Sequence, residues 1–294
     1  MKVARHMRGI ERISVIMVDG SFREKFHMVD YLNKQTLPKD QYELIWVEFY
    51  SEVNEELKKK PNLRIITLNN SEDTPYHSSY CFNKGIEESK GDLLVIIDAD
   101  QVVEPTFLET IKKEHEKCDE LVMYMQRWDE PKEKHHPVKS YELDYLKSVC
   151  RFLNPVNYGG CLTVRKKWLL KINGYEKDPL FGGLHANGRD CYTRFKNLGL
   201  HIKWHPTERM YHPWHPGTLA PSETYTPQLS IIRKRELNLT WLPNYGLDPS
   251  RDKEVKDLPD ALAGSNTVKP QRKIGQKVYQ VYYKILEMKR KWKV

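Results

Sequence analysis

Apolar and polar positions in the first hundred residues alternate between two patterns. Continuous apolar runs at residues 13–18, 43–49, 63–68 and 92–98 have the form of strands covered on both faces. Amphipathic stretches near residues 24–35, 52–60 and 80–89 lie between them and read as helices. This alternation predicts an α/β fold with a mainly parallel central sheet flanked by helices. The pattern continues with a helix near 105–117, a strand at 120–126, a loop at 129–137, a helix near 141–152, the strand CLTVR at 161–165 and a helix opening at Lys166. Past Leu219 it loosens to one helical stretch near 228–239, a Pro- and Asp-rich segment and a basic terminus. The expected division is a main domain over 1–220 and a C-terminal extension over 221–294.

Charge sharpens this division. The net charge is +8, yet residues 271–294 hold eight Lys or Arg against one Glu, so the tail carries +7 and the preceding 270 residues only +1. A nearly neutral body argues against a nucleic-acid-binding domain, which carries its basic face within the fold. On a helix, Ile274, Val278, Val281, Tyr282, Ile285, Met288 and Trp292 form one apolar stripe. Such a basic amphipathic helix suits an anionic membrane surface, and it equally suits packing on the protein's own body. No apolar run approaches the roughly 20 residues needed to span a bilayer, and no signal-peptide pattern opens the chain. A cytoplasmic protein is expected, with the tail as a route to peripheral attachment on the inner face of the membrane. The five cysteines are odd in number and contain no C-x-x-C pair, so free thiols are expected rather than disulfides or a zinc ribbon.

The sharpest chemical signal is Asp98-Ala99-Asp100, two carboxylates where the apolar strand LLVII stops. Hard oxygen ligands at a strand end suit a divalent cation such as Mn or Mg, which neutralises charge on a diphosphate leaving group. A second cluster is rich in histidine, with YHPWHP carrying His212 and His215. Imidazole is an acceptable partner to carboxylates on manganese, and His212 is the favoured ligand of the two.

Three stretches resemble family 2 glycosyltransferases of the GT-A fold: FNKGIEESKGDLLVIIDAD (82–100), YGGCLTVRKKWLLKINGYE (158–176) and GRDCYTRFKNLG (188–199). The resemblance covers roughly residues 11–216. It implies a metal-dependent transfer of a sugar from a nucleotide-sugar donor, with a UDP-sugar favoured, to the hydroxyl of a glycan or lipid-linked acceptor. Asp100, with His212 and Asp98, would hold the metal. Val18, Asp19, Glu48, Asn83, Asp98, Asp100, Gly159 and Gly160 would line the donor site. Asp190 would be the general base of an inverting displacement, with His185 or Glu176 next in line. The chain departs from the family pattern in its first loop, VDGSF, at Phe49, at Phe82 and at Arg189.

Two other enzyme classes fit parts of the sequence. A metal-dependent hydrolase would join the histidines to the aspartates in a set of at least three strong ligands, but His212 and His215 lack a partner motif of the H-E-x-x-H kind. A sugar-phosphate nucleotidyltransferase would share the nucleotide-binding body, but after the first strand only Gly20 stands where that class has a Gly-rich loop.

Overall fold

In a computed structural model of the chain, which describes residues 9–183, 186–216 and 225–252, the apolar runs become the centre of one eight-stranded sheet. The strands are β1 (Ile13–Asp19), β2 (Tyr42–Tyr50), β3 (Leu63–Asn70), β4 (Leu93–Ile97), β5 (Val102–Val103), β6 (Leu121–Asp129), β7 (Cys161–Arg165) and β8 (His201–His212). Their order is β3-β2-β1-β4-β7-β6-β8-β5. The first four are parallel, as the alternating pattern predicts, and β6 pairs β8 in parallel. β7 runs antiparallel to both β4 and β6, and β5 runs antiparallel to β8, so the sheet is mixed on that side.

Helices cover both faces. They are α1 (His27–Leu32), α2 (Glu55–Lys58), α3 (Ser78–Glu88), α4 (Phe107–Lys117), α5 (Leu143–Val149), α6 (Lys166–Lys171), α7 (Asn187–Leu198) and α8 (Tyr225–Asn238). Every residue of β1, β4 and β7 is buried, which is why β4 and most of β1 read as apolar runs. One core layer gathers Val15, Met17, Trp46, Val95 and Phe107. The opposite layer gathers Ile16, Ile45, Ile96, Tyr124 and Phe195. α3 lies close against β1 because Gly85 has no side chain; a Cβ there would stand 2.5 Å from Ile16 Cγ2.

The body extends past the boundary expected at residue 220. One compact unit runs to Asp252, because Arg235 of α8 reaches Asp190 and Glu176 and because the backbone N–H groups of Asn244 and Tyr245 bond to Glu176. The five cysteines are free, as expected. Among the described residues no helix is long and apolar enough to cross a membrane. The basic stripe at 271–294, and the membrane attachment read from it, lie outside the described residues, as does His185.

Candidate active site

The strand ends converge where ligands bind in open α/β sheets. β4 stops at Ile97 and delivers Asp98 and Asp100; the two-residue β5 then pairs Val102 with Tyr211 and Val103 with Met210, which brings the end of β8 alongside. His212 Nε2 lies 3.8 Å from Asp100 Oδ1, His215 Nε2 lies 3.6 Å from Asp100 Oδ2, and the two Nε2 atoms are 3.1 Å apart. These three residues offer ligand atoms within 4.8 Å of one another. One carboxylate oxygen and two imidazole nitrogens make a donor set that fits Mn and its neighbours among the divalent metals. Asp98, also expected as a ligand, is not one of these three residues. Its backbone N–H is held by Gly160 O at 3.0 Å.

Electrostatics separates the two aspartates. Burial and the neighbouring Asp100 push the Asp98 carboxyl up to about 6. Burial would also raise Asp100, but the Arg23 guanidinium and the two histidines outweigh it and hold that carboxyl well below the usual range. Asp100 also accepts from Gln101 Nε2 at 3.0 Å on Oδ1. Its backbone oxygen faces His27 Nε2 at 3.1 Å, and burial lowers that imidazole to about 4, so it is neutral.

The first loop carries a cation that the sequence reading did not single out. Arg23 donates through Nη1 to Asp19 Oδ1 at 2.7 Å and to Val18 O at 3.3 Å, and through Nη2 to Asp100 Oδ2 at 3.2 Å. Val18 and Asp19, expected to touch the donor, are therefore engaged by Arg23. Glu48 is also buried; it accepts from Ser21 N at 2.8 Å and Trp46 Nε1 at 3.4 Å. Burial and the nearby Asp19 push its carboxyl up to about 7.

Two cavities meet at this loop. One, of about 530 Å3, is lined by Asp19, Ser21, Arg23, Glu48 and Asn54 among others. The other, of about 400 Å3, is lined by Arg23, Asp100, His135, Tyr141, Trp214 and His215 among others. Both fall in the range of small-molecule sites. The wall of the second is set by Glu130, whose buried carboxylate accepts from His135 Nδ1 at 3.0 Å, Trp214 N at 2.8 Å and Ser140 Oγ. His135, Tyr141 and Trp214 carry no sequence signal of their own. They gather because Glu130, one residue past β6, ties the 131–140 loop to the turn after β8.

Other expected site residues are engaged by partners within the fold. Asn83 donates to Tyr175 O at 2.9 Å and accepts from Tyr175 N at 2.7 Å, so both ends of its amide are engaged with the backbone of Tyr175. The N–H groups of Gly159 and Gly160 both bond to Asn157 Oδ1 at 3.0 Å, and Gly160 O accepts from Asp98 N, so this turn supports the end of β4. Asp190 is fully buried. Arg194 Nε holds its Oδ2 at 2.7 Å and Arg235 holds its Oδ1. Burial alone would raise this carboxyl, but the two guanidiniums hold it below its usual value. A proton acceptor must come within hydrogen-bond reach of the hydroxyl it serves, and here both oxygens are enclosed by arginine. Glu176 is enclosed in the same network.

Residues 14–239 match the family model described as glycosyltransferase like family 2. No curated protein sequence matches the chain. Among solved structures the chain is similar to GalNAc-T7 with UDP, GalNAc and Mn2+, with a TM-score of 0.57 and 13% identity over 78% of this chain and 48% of that one. The mannosyltransferase PcManGT from Pyrobaculum calidifontis, in complex with GDP-Man and Mn2+, gives a TM-score of 0.49 and 15% identity over 78% of this chain and 62% of that one. The chain thus spans about half of the first and under two thirds of the second. The likeness to GalNAc-T7 is one of fold. Since the family model takes in well over half of the sequence, the chain belongs to the family-2-like glycosyltransferases.

Proposed function

We propose that the protein transfers a sugar from a nucleotide-sugar donor, a UDP-sugar by preference, to an acceptor hydroxyl, using Mn or Mg held by Asp100, His212 and His215. The observation that carries this reading is the Asp100–His212–His215 group, of which Asp100 and His215 line one cavity that is joined through Arg23 to a second. When bound, the metal supplies charge neutralisation to the departing diphosphate. The nucleoside is assigned to the cavity beside Glu48, and the sugar and acceptor to the cavity beside Trp214, with Asp98 facing the donor ribose. UDP in the GalNAc-T7 structure supports the choice of base.

The proton acceptor for an inverting displacement is assigned to His135 instead of Asp190. Contact with the acceptor-only Glu130 carboxylate puts the ring proton on Nδ1 and leaves Nε2 as the basic nitrogen. His135 shares its cavity with Asp100. A hydrolase would also use a group of three strong ligands, but family membership and the second cavity favour transfer.

The test is to mix the protein with UDP-, GDP- and other nucleotide sugars, with Mn and with EDTA, and to follow release of the nucleoside diphosphate. Release that needs Mn and a particular nucleotide supports the reading. Its absence with every donor rejects it.

A further inference from the structure

Arg23 occupies a position that the Asp100–His212–His215 group leaves unexplained. Arg23 lines both cavities. It touches Asp100 through Oδ2, the oxygen that also lies 3.6 Å from His215 Nε2. Its Nε is buried and has no hydrogen-bond partner, so one donor of the fork is unspent. Burying a guanidinium with an idle donor is costly unless a ligand takes it up.

The loop that holds Arg23 is closely packed and tied to its own backbone. Ser21 has a φ of 57°, rare for a residue with a side chain. A Cβ on Gly20 would stand 2.5 Å from the Tyr76 ring. Arg23 N is also tied to Asp19 Oδ2 at 3.3 Å. The guanidinium is held from Asp19 on one side and meets Asp100 on the other.

We infer that Arg23 is the anchor for the donor diphosphate, and that it exchanges anions: it neutralises Asp100 in the unloaded protein and turns to a phosphate oxygen when Asp100 serves a divalent cation. This rests on the metal-dependent transfer proposed above. A cation filling the metal group would compete with Arg23 for the Asp100 carboxylate, which favours passing the guanidinium to another anion. A diphosphate reaching from the Glu48 cavity to the Asp100 cavity passes the wall on which Arg23 stands. A planar fork pairs well with phosphate oxygens. No bond is made or broken in this exchange. It couples the two ligands so that each favours the other.

The experiment measures Arg23→Gln and Arg23→Lys against wild type. Manganese binding is followed by electron paramagnetic resonance without nucleotide, and binding of UDP, GDP, UMP and uridine by calorimetry with Mn saturating. Arg23→Gln is expected to bind Mn alone about two- to fivefold more tightly, because a competing cation has gone. It should bind the preferred nucleoside diphosphate at least about tenfold more weakly, as expected for a lost charge-assisted hydrogen bond, with uridine unchanged. These opposite signs distinguish an anchor from a residue that merely holds the loop. Weaker Mn binding, unchanged diphosphate affinity, or equal losses for uridine and UDP would each overturn the inference. If Arg23→Gln does not fold, Arg23→Lys decides: a weakened diphosphate with unchanged uridine supports the anchor, and unchanged diphosphate affinity refutes it. Failure of wild type to bind either diphosphate with Mn would instead reject the transferase reading, and the inference with it.

Discussion

His212 Nδ1 lies 3.1 Å from Asp129 Oδ1, and the two residues are register partners across the parallel β6–β8 pair. A carboxylate on one ring nitrogen fixes the orientation of the imidazole and leaves the other nitrogen, Nε2, aimed at Asp100 and His215. Partners of this kind typically support metal affinity by about 10- to 100-fold. Asp129→Ala should therefore weaken Mn binding by about that factor, read by electron paramagnetic resonance, without loss of the native circular dichroism spectrum. Equal affinity in the two proteins would mean that His212 is oriented by something else.

Asp190→Asn separates two roles for one residue. As part of the buried network with Arg194, Arg235 and Glu176, Asp190 should be needed for stability, since removing one partner of a buried ion pair costs about 3–5 kcal/mol. Urea unfolding should show a loss of that size, together with loosening of α8. A general base would behave otherwise: stability would stay near wild type while transfer slowed by about 10²-fold or more.

The fold was legible where burial is two-sided. β1, β2 and β4 announce themselves because sheet interiors admit apolar residues in unbroken runs. β8 was hidden for the opposite reason: HIKWHPTERMYH is half-exposed over most of its length and includes a proline, so it reads as a scatter of histidines, and β5 is too short to show any period. In the site, Asp100 and His212 could be chosen by residue type and position, with His215 weighed beside them. The contacts of Asn83 with Tyr175 and of Asp190 with Arg194 and Arg235 could not be read, because a polar residue in a helix looks the same whether its partner is a ligand or a distant backbone or arginine. Arg23, His135 and Glu130 acquire meaning only from contacts across the fold.

His135→Gln tests the proposed proton acceptor. Binding of nucleotide with Mn should stay within a few fold of wild type, while turnover falls by about 10²–10⁴-fold. Glu130→Gln should lower turnover less and also disturb the 131–140 loop, visible as faster proteolysis there. Normal turnover in His135→Gln would move the base elsewhere.

Glu48 supplies a pH dependence with a definite sign. Its carboxyl is raised from 4.5 to about 7, through burial first and then the nearby Asp19. Between those values the folded protein holds a proton that the unfolded chain has released. The contribution of Glu48 to stability is therefore full below pH 4.5, falls as pH rises toward 7, and is level above that. Glu48→Gln should remove this fall, so its urea midpoint should gain on wild type between pH 5 and pH 8. If wild type gains on the mutant instead, the carboxylate form is the one that Ser21 N stabilises.

The two-residue strand β5 has a consequence for how the site is specified. Asp100 and His212 are separated by more than a hundred residues of chain, yet the pairing of Val102 with Tyr211 and Val103 with Met210, beside that of β6 with β8, helps to set their relative position. Side chains alternate across a strand, so a slip of one residue would carry His212 to the opposite face and shift it by about 3.3 Å along the strand. The ligand geometry thus depends on two apolar residues that touch no substrate. Changes at Val102 or Val103 that loosen this pairing would appear as metal-binding defects in a protein whose ligands are all intact.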